Sequence, residues 1–172
     1  DAVDAHALHV RTPERLLGVS REPDGVLVAS TDKAHLRASR VLLALGRMGT
    51  PRRLDVPGED RSKVMYGMAD AETFTYEQIL VVGGGDTAVE TAVALSEQPG
   101  NRVWLSYRRA QVTRPKRTNR ERLDAAVANG AVSLVMSSQV QEIGLDRVVL
   151  EQDGERVVLP NDHVFVAIGG VL

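Results

Sequence analysis

The sequence predicts an α/β protein: a Rossmann-like βαβ nucleotide-binding domain with a β-meander, preceded by a short all-β segment. Three observations support this fold class. A buried strand pattern at residues 79–82 runs directly into three glycines and a helical pattern. A second strand pattern, at 103–107, follows that helix and completes a βαβ unit. Residues 138–159 read as consecutive antiparallel strands with Asp153-Gly154 at a tight turn, which is typical of a meander.

The first 48 residues contain four short apolar runs separated by turns. These runs lie at residues 7–10, 16–20, 26–30 and 41–45. Pro23-Asp24-Gly25 stands between the second and third runs and predicts a hairpin there. Two glycines and two prolines with interspersed charge then form a stretch typical of a linker: Gly49, Pro51, Pro57 and Gly58. We therefore expect a domain boundary near residue 50.

Beyond that boundary, strand and helix patterns alternate. Small and apolar residues recur at helical spacing over residues 86–98, and a second helix is predicted over about 119–129. Pro99-Gly100 ends the first helix, and Gly130 ends the second as a C-cap. A loop rich in Lys and Arg precedes the second helix. Buried strands complete the pattern at 132–136 and 164–168.

The composition excludes several kinds of site. The 172 residues carry 21 Lys plus Arg and 23 Asp plus Glu, and this balance gives no overall electrostatic reason to expect nucleic acid or an acidic membrane as partner. The apolar runs are far shorter than the roughly 20 residues of a membrane span. The absence of cysteine excludes thiolate zinc sites and dithiol chemistry, and the four scattered histidines indicate no metal. No signal-peptide pattern follows Asp1, so we expect a cytoplasmic piece of a longer protein.

The glycine turn after residues 79–82 is the segment most indicative of function. It fits the pattern G-x-G-x-x-[GA] with Gly83, Gly85 and Ala88 at the three small positions. Gly83 permits the tight turn, Gly85 lets a pyrophosphate approach the backbone, and Ala88 lets the helix pack closely on the strand. The helix N-terminus adds free N–H groups and a positive dipole end. The pattern predicts a dinucleotide site, with a tight turn that binds nothing as the alternative.

The end of the second strand favours one nucleotide. NAD sites usually place an acidic residue there for the ribose 2′-hydroxyl, but none occurs between Gln98 and Arg120. Tyr107 is instead followed by Arg108 and Arg109, whose guanidinium groups suit a 2′-phosphate. NADP(H) is therefore favoured over NAD. The alternative is a solvated basic face or a nucleic-acid patch, but no aromatic residues interleave the basic ones, so no nucleic acid is expected.

These motifs resemble the NADPH domain of thioredoxin-reductase-like flavoproteins, members of the pyridine nucleotide-disulphide oxidoreductase superfamily. The resemblance rests on residues 81–90 and 107–109. Residues 43–46 and 166–169 are similar to the linker flanks that join this domain to an FAD domain. The resemblance implies three parts: a partial FAD-domain-like β segment and linker strand at 1–48, an NADP(H)-binding domain at 49–168, and the start of the return linker at 169–172.

The resemblance also implies the nucleotide-binding residues. The pyrophosphate is lined by the glycine turn: Gly83, Gly84, Gly85, Asp86, Thr87 and Ala88. The other expected contacts are Glu90, Tyr107, Arg108, Arg109, Arg114, Ile168 and Gly169. Arg108 and Arg109 take the 2′-phosphate, and Glu90 faces the nicotinamide end, unless it is only an exposed polar residue at a helix start. Tyr107 stands where the family usually has His, and Arg114 lies one position later than in the family's pattern.

The function implied is that of the NADP(H)-binding portion of an FAD-dependent oxidoreductase that passes hydride from NADPH to flavin. No second glycine fingerprint for FAD occurs, so the chain alone is expected to bind NADPH but neither to hold FAD tightly nor to turn over. Its partners would be the FAD domain of the same protein and an unidentified electron acceptor, and a homodimer is allowed. No CxxC precedes the glycine strand, as in bacillithiol-disulfide-reductase-like relatives. The alternatives are a non-catalytic nucleotide-binding sensor or scaffold, and a methyltransferase that uses the turn for S-adenosylmethionine.

Overall fold

The computed structural model describes residues 9–44, 50–68 and 70–171. The chain divides into two compact units, Asp1–Arg47 and Met48–Leu172. The first unit contains an antiparallel sheet of three strands: β1 (Leu16–Arg21), β2 (Leu27–Thr31) and β3 (His35–Ala38). Gly25 adopts a φ of 86° between β1 and β2, and its N–H donates to the carbonyl of Glu22. The predicted hairpin at Pro23-Asp24-Gly25 is therefore confirmed.

Two of the four strand predictions for this unit did not hold as stated. Residues 7 and 8 of the run 7–10 lie outside the described part of the chain, and residues 9 and 10 form no strand. In the run 41–45, residues 41–44 have no regular structure and Leu45 lies outside the described part. β3 was missed because its side chains are only half apolar. Backbone pairing with β2, rather than hydrophobic patterning, makes it a strand.

The second unit is built around a parallel sheet. The strands of the whole unit are β4 (Thr50–Pro51), β5 (Val64–Met65), β6 (Gln78–Val82), β7 (Arg102–Tyr107), β8 (Val132–Met136), β9 (Ser138–Ile143), β10 (Arg147–Gln152), β11 (Glu155–Pro160), β12 (His163–Val166) and β13 (Gly170–Val171). Its helices are a short 3₁₀ helix (Ala71–Thr73), α1 (Asp86–Ser96) and α2 (Arg117–Ala128). The parallel sheet has the order β5-β12-β6-β7-β8. From β6 the chain passes through α1 to β7, which pairs with one side of β6. The later strand β12 pairs with the opposite side of β6, so the strand order reverses at β6.

The strand β6 is buried on both faces, as its continuous apolar run predicts. Ile79 and Val81 are fully buried in the cluster that holds α1, which packs through Ala88 and Ala92. Leu80 points into a second cluster with the side chains of β9, β10 and β12. The helix on one face and the meander on the other therefore shield this strand from water. Within the described ranges, no helix is both long and apolar enough to cross a bilayer.

The predicted meander is confirmed. Strands β9, β10 and β11 pair antiparallel in chain order. Asp153 and Gly154 both have positive φ, 51° and 86°, which is the backbone of a two-residue hairpin turn matched to the strand twist. The helix predicted over 119–129 is also confirmed, but α2 begins two residues earlier, at Arg117.

The final strand is shorter than predicted and is followed by an unexpected pair. β12 ends at Val166 rather than at 168, and Gly169, with a φ of 96°, turns the chain into β13. β13 pairs antiparallel with β4, and the Arg52 N–H donates to the Gly169 carbonyl at 3.0 Å. The proline in β4 made this segment resemble a linker, yet an edge strand tolerates proline because its outer N–H needs no partner. The first and last described strands of the second unit thus lie side by side.

A buried carboxylate organises the segment between β4 and β5. The Glu59 side chain is 2% exposed. It accepts hydrogen bonds from two backbone N–H groups and one hydroxyl: those of Leu54, Asp55 and Tyr66. Burial alone would raise the pKa of Glu59, but these donors and Arg53 outweigh it and lower the pKa. Burial and the bond to Glu59 raise the pKa of Tyr66 to about 12.

Glu59→Gln is therefore expected to lower the free energy of unfolding by about 2 kcal/mol at neutral pH, because an amide cannot accept from all these donors. A lowered folded-state pKa stabilises the fold above the unfolded pKa of about 4.3 and ceases to do so as pH falls through the folded value. The difference between the two proteins should consequently close in acid. Urea denaturation at several pH values measures it.

The matched control for this prediction is Asp60→Asn. The Asp60 side chain is 88% exposed and pairs with Arg53, so its replacement should barely change the urea midpoint. If the difference in unfolding free energy between wild type and Glu59→Gln persisted unchanged at low pH, the charge of Glu59 would contribute nothing to stability.

Candidate dinucleotide site

Three strand ends meet at one edge of the parallel sheet. Because β6, β7 and β12 run in the same direction, their carboxyl ends and the residues that follow lie at this edge. The Gly83 N–H donates to the Ser106 carbonyl at 2.9 Å, and the Ala167 N–H donates to the Val82 carbonyl at 2.8 Å. The strand order reverses at β6, and ligands of open α/β sheets bind in the crevice outside such a reversal.

Gly83 is required by close packing. Its φ is 149°, and a Cβ placed on it would lie 2.4 Å from the Ala167 carbonyl oxygen and 3.0 Å from the Ala88 Cβ. Ala88 itself is fully buried against the sheet. The two outer small residues of the motif thus hold the turn, the end of β12 and the first turn of α1 in contact.

Gly85 leaves open the space in front of α1. It is the N-cap of that helix and, as a glycine, supplies no side-chain capping hydrogen bond. A Cβ on Gly85 would meet nothing within 4 Å. Thr87, on the first turn, is exposed. Uncapped N–H groups facing open space at a helix N-terminus are the donors that a pyrophosphate requires, so the turn fits this group.

Tyr107 lies against the middle glycine. Its side chain is 6% exposed, and a Cβ on Gly84 would come within 2.2 Å of the tyrosine ring. Gly84 is therefore small because the aromatic ring occupies the adjacent space. The structure places Tyr107 against the turn, as a support for its backbone.

The basic residues after β7 divide into two groups. Arg108, Arg109 and Arg114 are exposed, and their guanidinium groups make no ion pair or hydrogen bond with any side chain or backbone group in the described part of the chain. Arg117 instead pairs with Glu121 at 2.6 Å. Arginines without an acidic partner among the described residues produce a positive potential beside the glycine turn and keep their donors available for a phosphate.

The structure adds a residue that the sequence did not indicate. Asn119, on α2, is 8% exposed, and its Nδ2 donates to Asp86 Oδ1 at 2.7 Å and to Glu90 Oε1 at 2.8 Å. The backbone N–H of Lys116 also donates to Asp86 Oδ1, at 2.9 Å. Both acidic residues of the motif therefore bind the start of α2. In the sequence, Asn119 is one polar residue on a charged helix, and nothing marks it as buried.

The segment after β12 completes this edge. Ile168 is half-buried against the second core cluster, and Gly169 is exposed. The structure thus brings the glycine turn, the arginines after β7 and the end of β12 to one edge. Among residues 9–44, 50–68 and 70–171, no group of three or more His, Asp or Glu side chains could hold a metal ion.

Comparison with known proteins identifies relatives. Residues 1–171 match the family described as pyridine nucleotide-disulphide oxidoreductase. A ferredoxin–NADP reductase of Ignicoccus hospitalis is 34% identical, over 91% of this chain and 51% of that protein. The bacilliredoxin reductase Bdr of Bacillus subtilis is 26% identical, over 85% of this chain and 45% of that protein. The chain thus spans about half the length of these curated relatives.

Solved structures agree in fold. The bacillithiol disulfide reductase Bdr of Staphylococcus aureus superposes with a TM-score of 0.80 at 26% identity, covering 97% of this chain and 51% of that one. A thioredoxin reductase of Lactococcus lactis superposes with a TM-score of 0.74 at 25% identity, covering 90% of this chain and 52% of that one. The resemblance inferred from the glycine and arginine motifs is confirmed: the chain belongs to the pyridine nucleotide-disulphide oxidoreductase family.

Proposed function

We propose that this chain is the NADP(H)-binding portion of an FAD-dependent oxidoreductase that passes hydride from NADPH to flavin. The observation that carries the proposal is the arrangement at the sheet edge: an uncapped helix N-terminus beside exposed arginines without acidic partners in the described part. The family membership and the NADP named in the matched ferredoxin–NADP reductases support NADP(H) and, in the full-length protein, FAD as cofactors.

Different residues at the sheet edge would bind different parts of the nucleotide. The open backbone at Gly85 and the first N–H groups of α1 bind the pyrophosphate, while Arg108 and Arg109 bind the 2′-phosphate through charge-assisted hydrogen bonds. Each such bond contributes about 1.5–3 kcal/mol, or roughly 10- to 100-fold in affinity. Bound NADPH supplies the hydride, and the protein's contribution is position and electrostatics.

We further propose that the chain contains parts of two domains: residues 1–48 belong to an FAD domain, 49–168 form the NADP(H) domain, and 169–172 begin the return linker. The pairing of β4 with β13 supports this division, because a domain inserted into another should have its entering and leaving strands adjacent. Coverage of about half of each relative is consistent with an FAD domain contributed by further sequence.

Calorimetric titration of the chain with NADPH and NADH tests the proposal. Wild type should bind NADPH at least roughly tenfold more tightly than NADH, and Arg108→Ala/Arg109→Ala should abolish that preference. The control is Arg117→Ala, because Glu121 already pairs with that guanidinium. Equal affinity of the wild type for both nucleotides, or a preference that survives the double substitution, would contradict the proposal. Preferential binding of S-adenosylmethionine would favour the methyltransferase alternative.

A further inference from the structure

Asn119 joins the two helices that flank the candidate site. Its amide donates one hydrogen bond to the first residue of α1, Asp86, and a second to Glu90, one helical turn further along. Asn119 itself is buried, whereas Asp86 is half-buried and Glu90 is exposed, so the two bonds lie at the boundary between the helix contact and solvent. One side chain therefore holds the first turn of α2 against the first turn of α1.

A further contact with Asp86 fixes one end of the basic loop, defined here as residues 108–116. Lys116 is the last residue of this loop and the N-cap of α2, and its N–H donates to Asp86. The other end is held because the Ser137 N–H donates to the Arg109 carbonyl at 3.1 Å. A hydrogen bond thus holds the loop that carries the exposed arginines at each end, and Asp86 accepts one of these two bonds.

We propose that Asn119 is a positioning residue that sets the selectivity of this site for NADPH over NADH. The inference rests on the proposed function. Bidentate recognition of a phosphate by arginine requires the guanidinium groups to be held in place, and ordering a free loop at binding would weaken affinity. The loop contributes to the 2′-phosphate subsite, whereas the pyrophosphate binds the glycine turn. Loss of Asn119 should therefore affect NADPH far more than NADH.

The test uses Asn119→Ala, which removes both donor contacts without adding charge next to the glycine turn. We expect the dissociation constant for NADPH to rise at least roughly tenfold while that for NADH changes less than about threefold. Asn119→Leu keeps the approximate size of the side chain, also lacks the donor amide and gives the same test should the alanine variant fold poorly. Thr118→Ala, an exposed neighbour on α2, is the control and should change neither constant.

Amide hydrogen exchange of the ligand-free chain provides a readout that does not depend on nucleotide. The Lys116 amide should exchange at least roughly tenfold faster in both Asn119 variants and at the wild-type rate in the control. Equal weakening of NADPH and NADH, unchanged selectivity or unchanged exchange at Lys116 would each overturn the inference. A wild type without selectivity would instead overturn the proposed function, and the inference with it.

Discussion

Replacing Gly85 with aspartate is expected to weaken NADPH binding severely while leaving the fold intact. The backbone of Gly85 is extended, with a φ of −103°, and a Cβ there meets no atom within 4 Å. Aspartate is also among the best N-cap residues, so the stability of α1 should be unchanged or slightly higher. Its carboxylate would, however, accept from the helix N–H groups and repel the pyrophosphate. We expect the dissociation constant for NADPH to rise roughly 100-fold or more.

Gly85→Asn separates charge from bulk. Asparagine caps helices about as well as aspartate and has the same size, but it carries no charge, so its effect on NADPH affinity should be smaller, roughly tenfold. Calorimetry gives the affinities, and thermal unfolding confirms that both variants are folded. NADPH affinity that is unchanged in Gly85→Asp would show that the nucleotide does not approach this turn.

Gly83→Ala, in contrast to the Gly85 variants, is expected to lower the stability of the fold. The new Cβ would lie 2.4 Å from the Ala167 carbonyl oxygen, and the φ of 149° disfavours any residue with a side chain. Both neighbours of this Cβ are parts of the packed sheet edge and cannot move without disturbing β12 or α1. Overpacking and backbone strain together should cost roughly 3 kcal/mol of unfolding free energy.

The control for this effect is Gly154→Ala. Gly154 also has a positive φ, 86°, but a Cβ on it would meet nothing within 4 Å. Its replacement therefore introduces backbone strain without a collision and should cost about 1 kcal/mol. Chemical denaturation measures both values. Equal losses for the two variants would mean that contact with Ala167 does not constrain the turn.

Strongly patterned elements were predictable from the sequence, whereas weakly patterned ones were not. The run at 79–82 and the turn at Asp153-Gly154 carry local signals, apolar continuity and positive-φ residues, and the structure confirms both. The strands β3 and β13 carry no such signal. Backbone hydrogen bonds to a neighbouring strand define them, and that neighbour is not visible from the residues themselves.

The sequence by itself determined which chemical groups are present at the candidate site. A glycine turn between a strand and a helix, followed by paired arginines after the next strand, indicated an NADP-type site and the family that comparison confirmed. These features are readable because each depends on a few neighbouring residues: the small ones that a turn requires, and the positive charges that a phosphate requires.

Only the tertiary structure decided how these groups are held. It showed that Tyr107 supports the backbone at Gly84, that Arg117 is already paired, and that Asn119 holds both acidic residues of the motif. The contacts of Tyr107 and Asn119 join elements that are distant in the sequence, and their distances depend on packing. Local patterns specify the type of side chain at each position, whereas burial and partners are properties of the folded chain alone.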